Sequence, residues 1–385
     1  MLRKSPNKSK SKKRSLKRAL YSRDNCGKNR KRLEIYDDKV RKIVSLTCDH
    51  LPLNQVSSIM GPATYNEWVI GDGKVIGIFG EYHGIPEDSV KNTNRRTTLI
   101  FPNFLKTLFT ANKQTQYDLF IEKTYVTGED MDSVGVDPTA TVFNMLDIDL
   151  KSCLTFVKNC KYKNLRAHYI DYGRASYEWF NEMYNDIYFG TGDISNYDQL
   201  TSIPEEYNTT FDTVLNIIRT DIKIAKQLSA SLVANSIRNY IEGSLLISKL
   251  KFLLFLDGKS TETLTMLPLK IKTYRDFIKR FAKNEDTIDM HEYKTELVMR
   301  FIKLYSHIMD VYTLGRLFRS FTQKDGTISF SNNSIVYVGQ DHAMTYYNFM
   351  KYMKYTHVVE IGDDTTYTHS VRFTKTNKKK SFLFS

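Results

Sequence analysis

Four short apolar runs, each ending in polar residues, dominate the hydrophobic pattern of the chain. They cover residues 75–79, 117–122, 165–171 and 334–338. A nearly continuous apolar run is typical of a central strand that is covered on both faces. Periodic stretches around 97–112 and 141–160 predict helices between the first three runs. This alternation of strand and helix indicates a largely parallel sheet flanked by helices.

The pattern also predicts elements around this core. A short helix is expected over 34–47, and the glycines at 71 and 73 predict a hairpin that joins residues 68–70 to the first apolar run. A helix should follow Gly339 and end near Tyr355. A last strand is expected over 356–361.

The middle of the chain has a different pattern, which is helical from about residue 176 to residue 322. We therefore predict an α/β fold with a mainly parallel central sheet flanked by helices, a large helical insertion or cap, and a disordered basic N-terminal tail. The predicted division is a tail at 1–33, the first part of the α/β core at 34–175, the helical insertion at 176–322, the return to the core at 323–365, and a polar C-terminal tail at 366–385.

The net charge of +13 is concentrated at the N-terminus. Residues 1–32 hold fourteen basic residues and one acid, Asp24, so the rest of the chain carries equal numbers of basic and acidic residues. The segment has too few apolar residues to offset the entropy of ordering it. Its cations, residues 3–32, predict a contact with nucleic acid or another polyanion, or a nuclear-localisation signal; a solubilising leader is the simpler alternative.

Composition also indicates where the protein is located. Its four cysteines show no CxxC spacing, which favours a reducing compartment. No apolar run is long enough to span a membrane, and no apolar stretch follows the basic start as it would in a signal peptide. We therefore expect an intracellular protein, in cytoplasm or nucleus, that is not secreted. Abundant Lys, Asn, Ile and Tyr resemble products of AT-rich genomes such as those of large DNA viruses, which would place it in a host cell or virion.

Candidate chemistry lies at the carboxyl ends of the predicted strands, where open α/β sheets form their binding crevice. Polar side chains follow each of the four runs, which predicts one shared site if the strands are neighbours. The candidates are Glu81, His83, Glu122, Asp171, Arg174 and His342, and Asp341 beside His342 also follows the last of these strands.

Two kinds of site fit these residue types. One is a metal site, in which His83, Glu122 and His342 hold a divalent ion such as Zn²⁺, Mn²⁺ or Fe²⁺ and leave a position open for water. The other is metal-free, with His83 as a general base oriented by Glu81 or Glu122, while His342 or Arg174 stabilises negative charge. Each side chain could also be structural, since a single histidine often caps a helix or fills a polar part of a core.

The helix predicted over 290–321 offers one further candidate. Its polar segment contains Asp310, Tyr312, Arg316 and Arg319, and the last three of these share one face. Such a face commonly makes only surface pairs, but one of its guanidinium groups could also hold a carboxylate or phosphate.

The segments VIGIFGEYHG, DLFIEK, RAHYIDYGR and IVYVGQDHA resemble the core motifs of the superfamily that contains erythromycin esterase, ChaN and TraB/TIKI proteins. The paired Gly-x-x-His motifs with a Glu between them are similar to those of TraB/TIKI, and the Gly-Glu-x-His form is closer to the esterase branch. The resemblance implies His83 as base or first ligand, Glu81 and Glu122 as its carboxylate partners, and His342 as the second histidine. Asp171 and Arg174 match the motifs less well.

What the resemblance implies about function is broad, because members include metal-dependent proteases, hydrolases with a histidine-activated water and haem-binding proteins. We therefore expect a hydrolase-like protein that acts on an unknown ester or amide. The alternative is a viral structural or nucleic-acid-associated protein with an inactive scaffold and a cationic tail.

Overall fold

The computed structural model describes the strands and helices that surround the carboxyl edge of the main sheet. The described residues are 47–71, 73–82, 94–122, 160–171, 306–318, 332–362 and 370–384, with shorter pieces within 142–153 and 233–244 and at 321–322 and 328–329. The tail predicted over 1–33, the helix predicted over 34–47 except its last residue, and most of the insertion predicted over 176–322 lie outside them.

Eleven strands are described: β1 (Ser58–Met60), β2 (Thr64–Ile70), β3 (Lys74–Glu81), β4 (Thr98–Ile100), β5 (Tyr117–Ile121), β6 (Leu165–Tyr169), β7 (Phe321–Thr322), β8 (Ile328–Ser329), β9 (Asn333–Gly339), β10 (Thr356–Ile361) and β11 (Ser370–Arg372). The helices that we label are α1 (Phe101–Ala111), α2 (235–241), α3 (306–317), α4 (Gln340–Tyr352) and α5 (Lys375–Lys380).

The main sheet has six strands in the order β10-β2-β3-β9-β5-β6. The four strands β3, β9, β5 and β6 pair in parallel, whereas β10 pairs antiparallel with β2 and β2 antiparallel with β3. The sheet is therefore mixed with a parallel centre, and the predicted α/β class is confirmed. Strand β9 lies in the middle of the sheet although it comes more than 160 residues after β6 in the chain.

The predicted hairpin is the β2–β3 connection, in which Ile70 is opposite Lys74. Gly71 and Gly73 have φ values of 49° and 97°, a region that side chains with a Cβ rarely adopt. These two glycines allow the chain to reverse within three residues.

One face of the main sheet carries the largest apolar core among the described residues. Helix α1 contributes Phe101, Phe104 and Leu108, whose spacing places them on one side of the helix. Phe101 stacks on Tyr337 of β9 at 4.2 Å between ring centroids and meets Phe79 of β3 edge-on at 4.9 Å. A smaller sheet, in the order β11-β1-β4, adds further members of this core.

The opposite face of the sheet is covered by α4, which begins directly after β9. Its buried residues include Ala343, Tyr346 and Phe349, at the three-residue spacing of one helix face. Phe318, at the end of α3, contacts Phe349 with ring centroids 6.1 Å apart. Tyr240 of α2 donates a hydrogen bond to the carbonyl of Thr345 at 3.1 Å. The described parts of α2 and α3 therefore pack against α4.

The C-terminus differs from the polar tail expected over 366–385. Residues 370–384 form β11, α5 and a final 3-10 turn, and Leu383 is fully buried. The backbone N–H of Phe382 donates to the carboxylate of Glu67 at 3.0 Å, and Phe382 and Phe384 pack against the main core. The physical reason is the Phe-Leu-Phe run after the lysines, which supplies apolar surface to bury.

The cysteines also differ from expectation, because the structure joins Cys153 to Cys160 by a disulfide. Disulfides form mainly in oxidising compartments, so this bond does not support the inference of a reducing compartment that was drawn from cysteine number and spacing. Within the part of the chain that is described, no helix combines the length and apolar composition that a membrane crossing requires.

Candidate functional site

Three adjacent strands end at one edge of the main sheet and bring polar residues together there. Glu81 is the last residue of β3, Glu122 directly follows β5, and His342 lies in the first turn of α4 after β9. Because β9 is hydrogen-bonded to both β3 and β5, their carboxyl ends are neighbours in space although they are distant in sequence. The backbone N–H of Glu122 continues the ladder by donating to the carbonyl of Tyr337 at 3.1 Å.

The His342 imidazole lies between two carboxylates. Its Nδ1 is 2.7 Å from Oδ1 of Asp310, which α3 contributes, and its Nε2 is 3.6 Å from Oε1 of Glu122. The first distance is a charge-assisted hydrogen bond, while the second is an ion pair longer than a hydrogen bond. The ring is therefore fixed through Nδ1, and its Nε2 faces the carboxyl edge of the sheet.

These charges set the protonation state of the pair. Burial lowers the pKa of His342, but the negative charges of Asp310 and Glu122 and the hydrogen bond to Asp310 outweigh it and raise the pKa to about 9. Burial raises the pKa of Asp310, but the charge of His342 and hydrogen bonds from His307 and His342 outweigh that effect, so its pKa lies below the ordinary value. At neutral pH the pair is an imidazolium and a carboxylate.

Glu122 is held in place by the backbone of the neighbouring strand. The N–H of Gly339, at the end of β9, donates to Oε2 of Glu122. The other oxygen faces His342. One carboxylate therefore connects the end of β5 to the end of β9, with Oε1 directed towards the imidazole.

Glu81 occupies a more apolar position than Glu122. Its side chain is only 3% exposed, and Oε2 accepts a hydrogen bond from the hydroxyl of Tyr337. Burial raises the pKa of Glu81 to about 8, partly offset by the Tyr337 bond and reinforced by the charge of Glu122. Glu81 is therefore mainly a neutral acid at neutral pH, unlike the charged pair beside it.

The start of α4 packs closely against β3 and β2, which positions His342. Thr64 of β2 donates to the side chain of Gln340 at 2.8 Å. A Cβ added to Gly80 of β3 would lie 2.7 Å from Oγ1 of Thr64 and 2.8 Å from Cβ of Ala343. Only a glycine at this position permits the observed approach of helix and strand.

The six residues predicted from strand ends have different outcomes. Glu81, Glu122 and His342 are brought together, and Asp171, half-buried after β6, is close enough for its charge to raise the pKa of His342. His83 and Arg174 lie outside the described residues.

The sequence patterns place Asp310 in the polar segment of the helix predicted over 290–321 but assign it no role in the site. It is 1% exposed and lies one helical turn after His307, whose Nδ1 is 3.3 Å from Oδ2 of Asp310. A histidine and an aspartate three residues apart, among the apolar residues at 308, 309 and 311, were the available signal.

The neighbouring Arg316, considered as an anion clamp, has its guanidinium carbon 5.4 Å from the centroid of the Tyr312 ring, and its charge acts on His168 of β6. His168 and Arg166 both bond to Asp118, with Arg166 in a two-point pair at 2.6 and 2.9 Å. Asp118 lies at the amino end of β5, whereas Glu122 lies just beyond its carboxyl end. The two carboxylates therefore belong to separate polar clusters. Arg319 lies outside the described residues.

The expected metal site rests on three ligands, of which Glu122 and His342 are described and His83 is not. Among the described residues, no group of three or more His, Cys, Asp or Glu side chains is suited to hold a metal ion. The ligand set of the metal prediction therefore remains a prediction.

Comparisons with protein-family models, with curated protein sequences and with solved structures give no match in any of the three. The resemblance to the erythromycin esterase, ChaN and TraB/TIKI superfamily therefore rests on the four motifs alone.

Proposed function

We propose that the protein is a hydrolase that acts on an ester or amide bond at the carboxyl edge of β3, β9 and β5. The observation that carries this proposal is the His342 imidazole held between Asp310 and Glu122, with Nε2 only in long ion-pair contact. A fixed imidazolium can stabilise an oxyanion, and the carboxylate beside it can accept a proton from water within the same small site.

The protonation states suggest a role for each group. With a pKa raised to about 9 by Asp310 and Glu122, His342 is charged at neutral pH and suits stabilisation of negative charge on the substrate carbonyl oxygen. The Glu122 carboxylate suits the role of base towards the attacking water. Glu81, whose pKa burial raises to about 8, suits proton donation to the leaving group.

A metal-dependent version uses the same residues in another way. His342 through Nε2, Glu122 and His83 would supply the ligands, and Asp310 would orient the imidazole through Nδ1. A divalent ion such as Zn²⁺, Mn²⁺ or Fe²⁺ would lower the pKa of a bound water and polarise the carbonyl.

The test compares hydrolysis of a panel of small ester and amide substrates by wild type, Glu122→Gln, His342→Gln and the control Asp341→Asn. Asp341 is adjacent to His342 but exposed. The first two variants should lose about a hundredfold or more in kcat/KM, and the control should stay near wild type. Metal analysis of wild type, His83→Ala and His342→Ala separates the two versions. A wild type without metal and without activity on the whole panel would refute the hydrolase proposal.

A second candidate function is supported by the charge distribution. The cations of residues 3–32 suit nucleic acid or another polyanion, as in a structural or nucleic-acid-associated protein of a large DNA virus whose α/β scaffold is inactive. Under this candidate, deletion of 1–32 should abolish salt-sensitive DNA binding. Under the hydrolase proposal, the same deletion should leave ester hydrolysis unchanged. DNA binding that persists at the same affinity after the deletion would contradict this candidate.

The proposed location in cytoplasm or nucleus rests on the number and spacing of the cysteines. The Cys153–Cys160 disulfide is evidence against it. Alkylation of thiols in intact expressing cells, followed by mass spectrometry, tests the location. A peptide with both thiols alkylated supports a reducing compartment, and an unreacted, linked pair contradicts it.

A further inference from the structure

We propose that His307 is a positioning residue, which fixes the Asp310 carboxylate so that Asp310 can hold His342. The consequence for catalysis rests on the proposed hydrolase function. The structural part, that His307 controls how Asp310 binds His342, can be tested without any activity.

The two oxygens of Asp310 have different partners. Oδ1 is 2.7 Å from Nδ1 of His342, and Oδ2 is 3.3 Å from Nδ1 of His307. A carboxylate only accepts hydrogen bonds, so each bond requires a proton on the Nδ1 of the histidine. The carboxylate is thus bound at both ends by imidazoles from two different helices.

A second partner matters because the last torsion of an aspartate side chain is soft. Rotation about χ2 is broad and roughly two-fold, so a carboxylate held through one oxygen can turn away from its partner. The bond from His307 opposes this rotation. The spacing of three residues places His307 and Asp310 on one face of α3, where the pair can form without distorting the helix.

Both members of the pair are buried. The whole-residue exposure is 4% for His307 and 1% for Asp310. Two tyrosines, Tyr346 of α4 and Tyr240 of α2, also lie near Asp310. Burial is the main cause of the raised pKa of both, and the charge of Asp310 raises it further. Tyr240 donates its hydroxyl to the carbonyl of Thr345. Asp310 is hydrogen-bonded to both histidines, and after burial a hydrogen bond to Asp310 also contributes to raising the pKa of Tyr346.

The experiment uses the full chain labelled with ¹³C and ¹⁵N in its histidine rings, of which there are eight. His342 and His307 are assigned by substitution, and the pKa of His342 is measured in wild type, His307→Asn and His307→Leu. Asn retains a donor near the position of Nδ1, whereas Leu removes it. His50→Leu, an exposed histidine, is the control.

We expect the pKa of His342 to fall by about one unit or more in His307→Leu. Against the lowering by burial, the charge of Asp310 is the largest cause of the elevation and its hydrogen bond adds to it, and both weaken if the carboxylate turns away. It should stay close to wild type in His307→Asn and in the control. An unchanged or higher pKa in His307→Leu overturns the proposal. If that variant does not fold, the wild-type ¹⁵N spectrum decides, because a His307 ring protonated only on Nε2 also overturns it.

Activity is measured separately on whichever substrate the wild type hydrolyses. His307→Leu should lose about tenfold in kcat with little change in KM, as when the hydrogen-bond partner of a site ligand is removed. His307→Asn should recover most of that loss. A wild type without activity refutes the hydrolase function and leaves the NMR test of His307 valid, so the two failures can be distinguished.

Discussion

Replacement of Asp310 by Asn should remove the stability that the charged His342–Asp310 pair contributes, so the loss should be larger at low pH than at high pH. In wild type, burial lowers the pKa of His342, but the charges of Asp310 and Glu122 outweigh burial and raise the pKa from 6.5 to about 9. A group with a raised folded-state pKa contributes stability that is complete below its unfolded pKa and is lost as pH rises through the folded value. The contribution of the pair should therefore be complete below about pH 6.5 and disappear above about pH 9.

The size of the effect follows from the shift. An elevation from 6.5 to about 9 corresponds to roughly 3 kcal/mol, since one pKa unit is about 1.4 kcal/mol. Asp310 supplies the largest favourable part, and His342 is only 12% exposed, so solvent screening is limited. We expect Asp310→Asn to lose about 2–3 kcal/mol of unfolding free energy near pH 6, and about 1 kcal/mol, the value of a neutral hydrogen bond, near pH 10.

Urea unfolding at several pH values measures this difference, with Asp341→Asn as the control. Asp341 is an exposed acid in the first turn of α4, so its replacement should cost less than about 1 kcal/mol at any pH. A loss in Asp310→Asn that is the same near pH 6 and pH 10 would refute the assignment of a charged His342–Asp310 pair.

Three further predictions test other parts of the structure. Gly80→Ala should lower the free energy of unfolding by about 1–3 kcal/mol, because the added Cβ would be too close to side chains of α4 and β2. Gly243→Ala, where the added Cβ would have nothing within 4 Å, should be neutral or stabilising. Equal thermal shifts in the two variants would contradict the close packing at Gly80. Glu81→Gln should become more stable relative to wild type as the pH rises from about 5 to 8. Burial raises the Glu81 pKa to about 8, so the wild type loses stability over that range. If the unfolding free energies of the two proteins, measured in urea, change in parallel with pH, Glu81 is not a buried neutral acid. Leu383→Ala should lower the free energy of unfolding by about 2–5 kcal/mol, because Leu383 is fully buried. An unchanged thermal midpoint would show that the C-terminal turn does not pack in the core.

The carboxyl edge of the sheet could be predicted from the sequence, because apolar runs of strand length are followed directly by glycine and polar residues. Residues 75–79 and 334–338 are apolar runs of strand length, and each is followed within a few residues by glycine, carboxylate or histidine. Burial on both faces explains the run, and parallel pairing explains why the ends meet. Glu81 and Glu122 could therefore be selected without coordinates.

Asp310 could not be selected in the same way. Its helix lies far in sequence from β3 and β5, and periodicity defines an apolar face without stating which element that face contacts. The polar face of Tyr312 and Arg316 was the more visible feature, whereas Asp310 is buried by contacts with α4. A tertiary contact between two helices decided the role of the residue.

The C-terminus was misjudged because local composition and burial disagree there. Lysines at 378–380 are typical of a solvated tail, yet the next residues enter the core. The three-residue apolar run is too short for a periodicity signal. The Cys153–Cys160 disulfide was equally inaccessible, since sequence spacing does not give the separation in space that pairing requires.

The central position of β9 has a consequence for biosynthesis. Strands β3 and β5 are both made early, but each has β9 as its hydrogen-bonded neighbour, and β9 begins only at Asn333. On a ribosome that has made only the first three hundred residues, the two strands lack the partner that joins them, and unpaired strand edges favour association between chains. The sheet therefore cannot be completed until β9 has emerged from the ribosome, and until then β3 and β5 each keep an unpaired edge on the side that β9 will occupy.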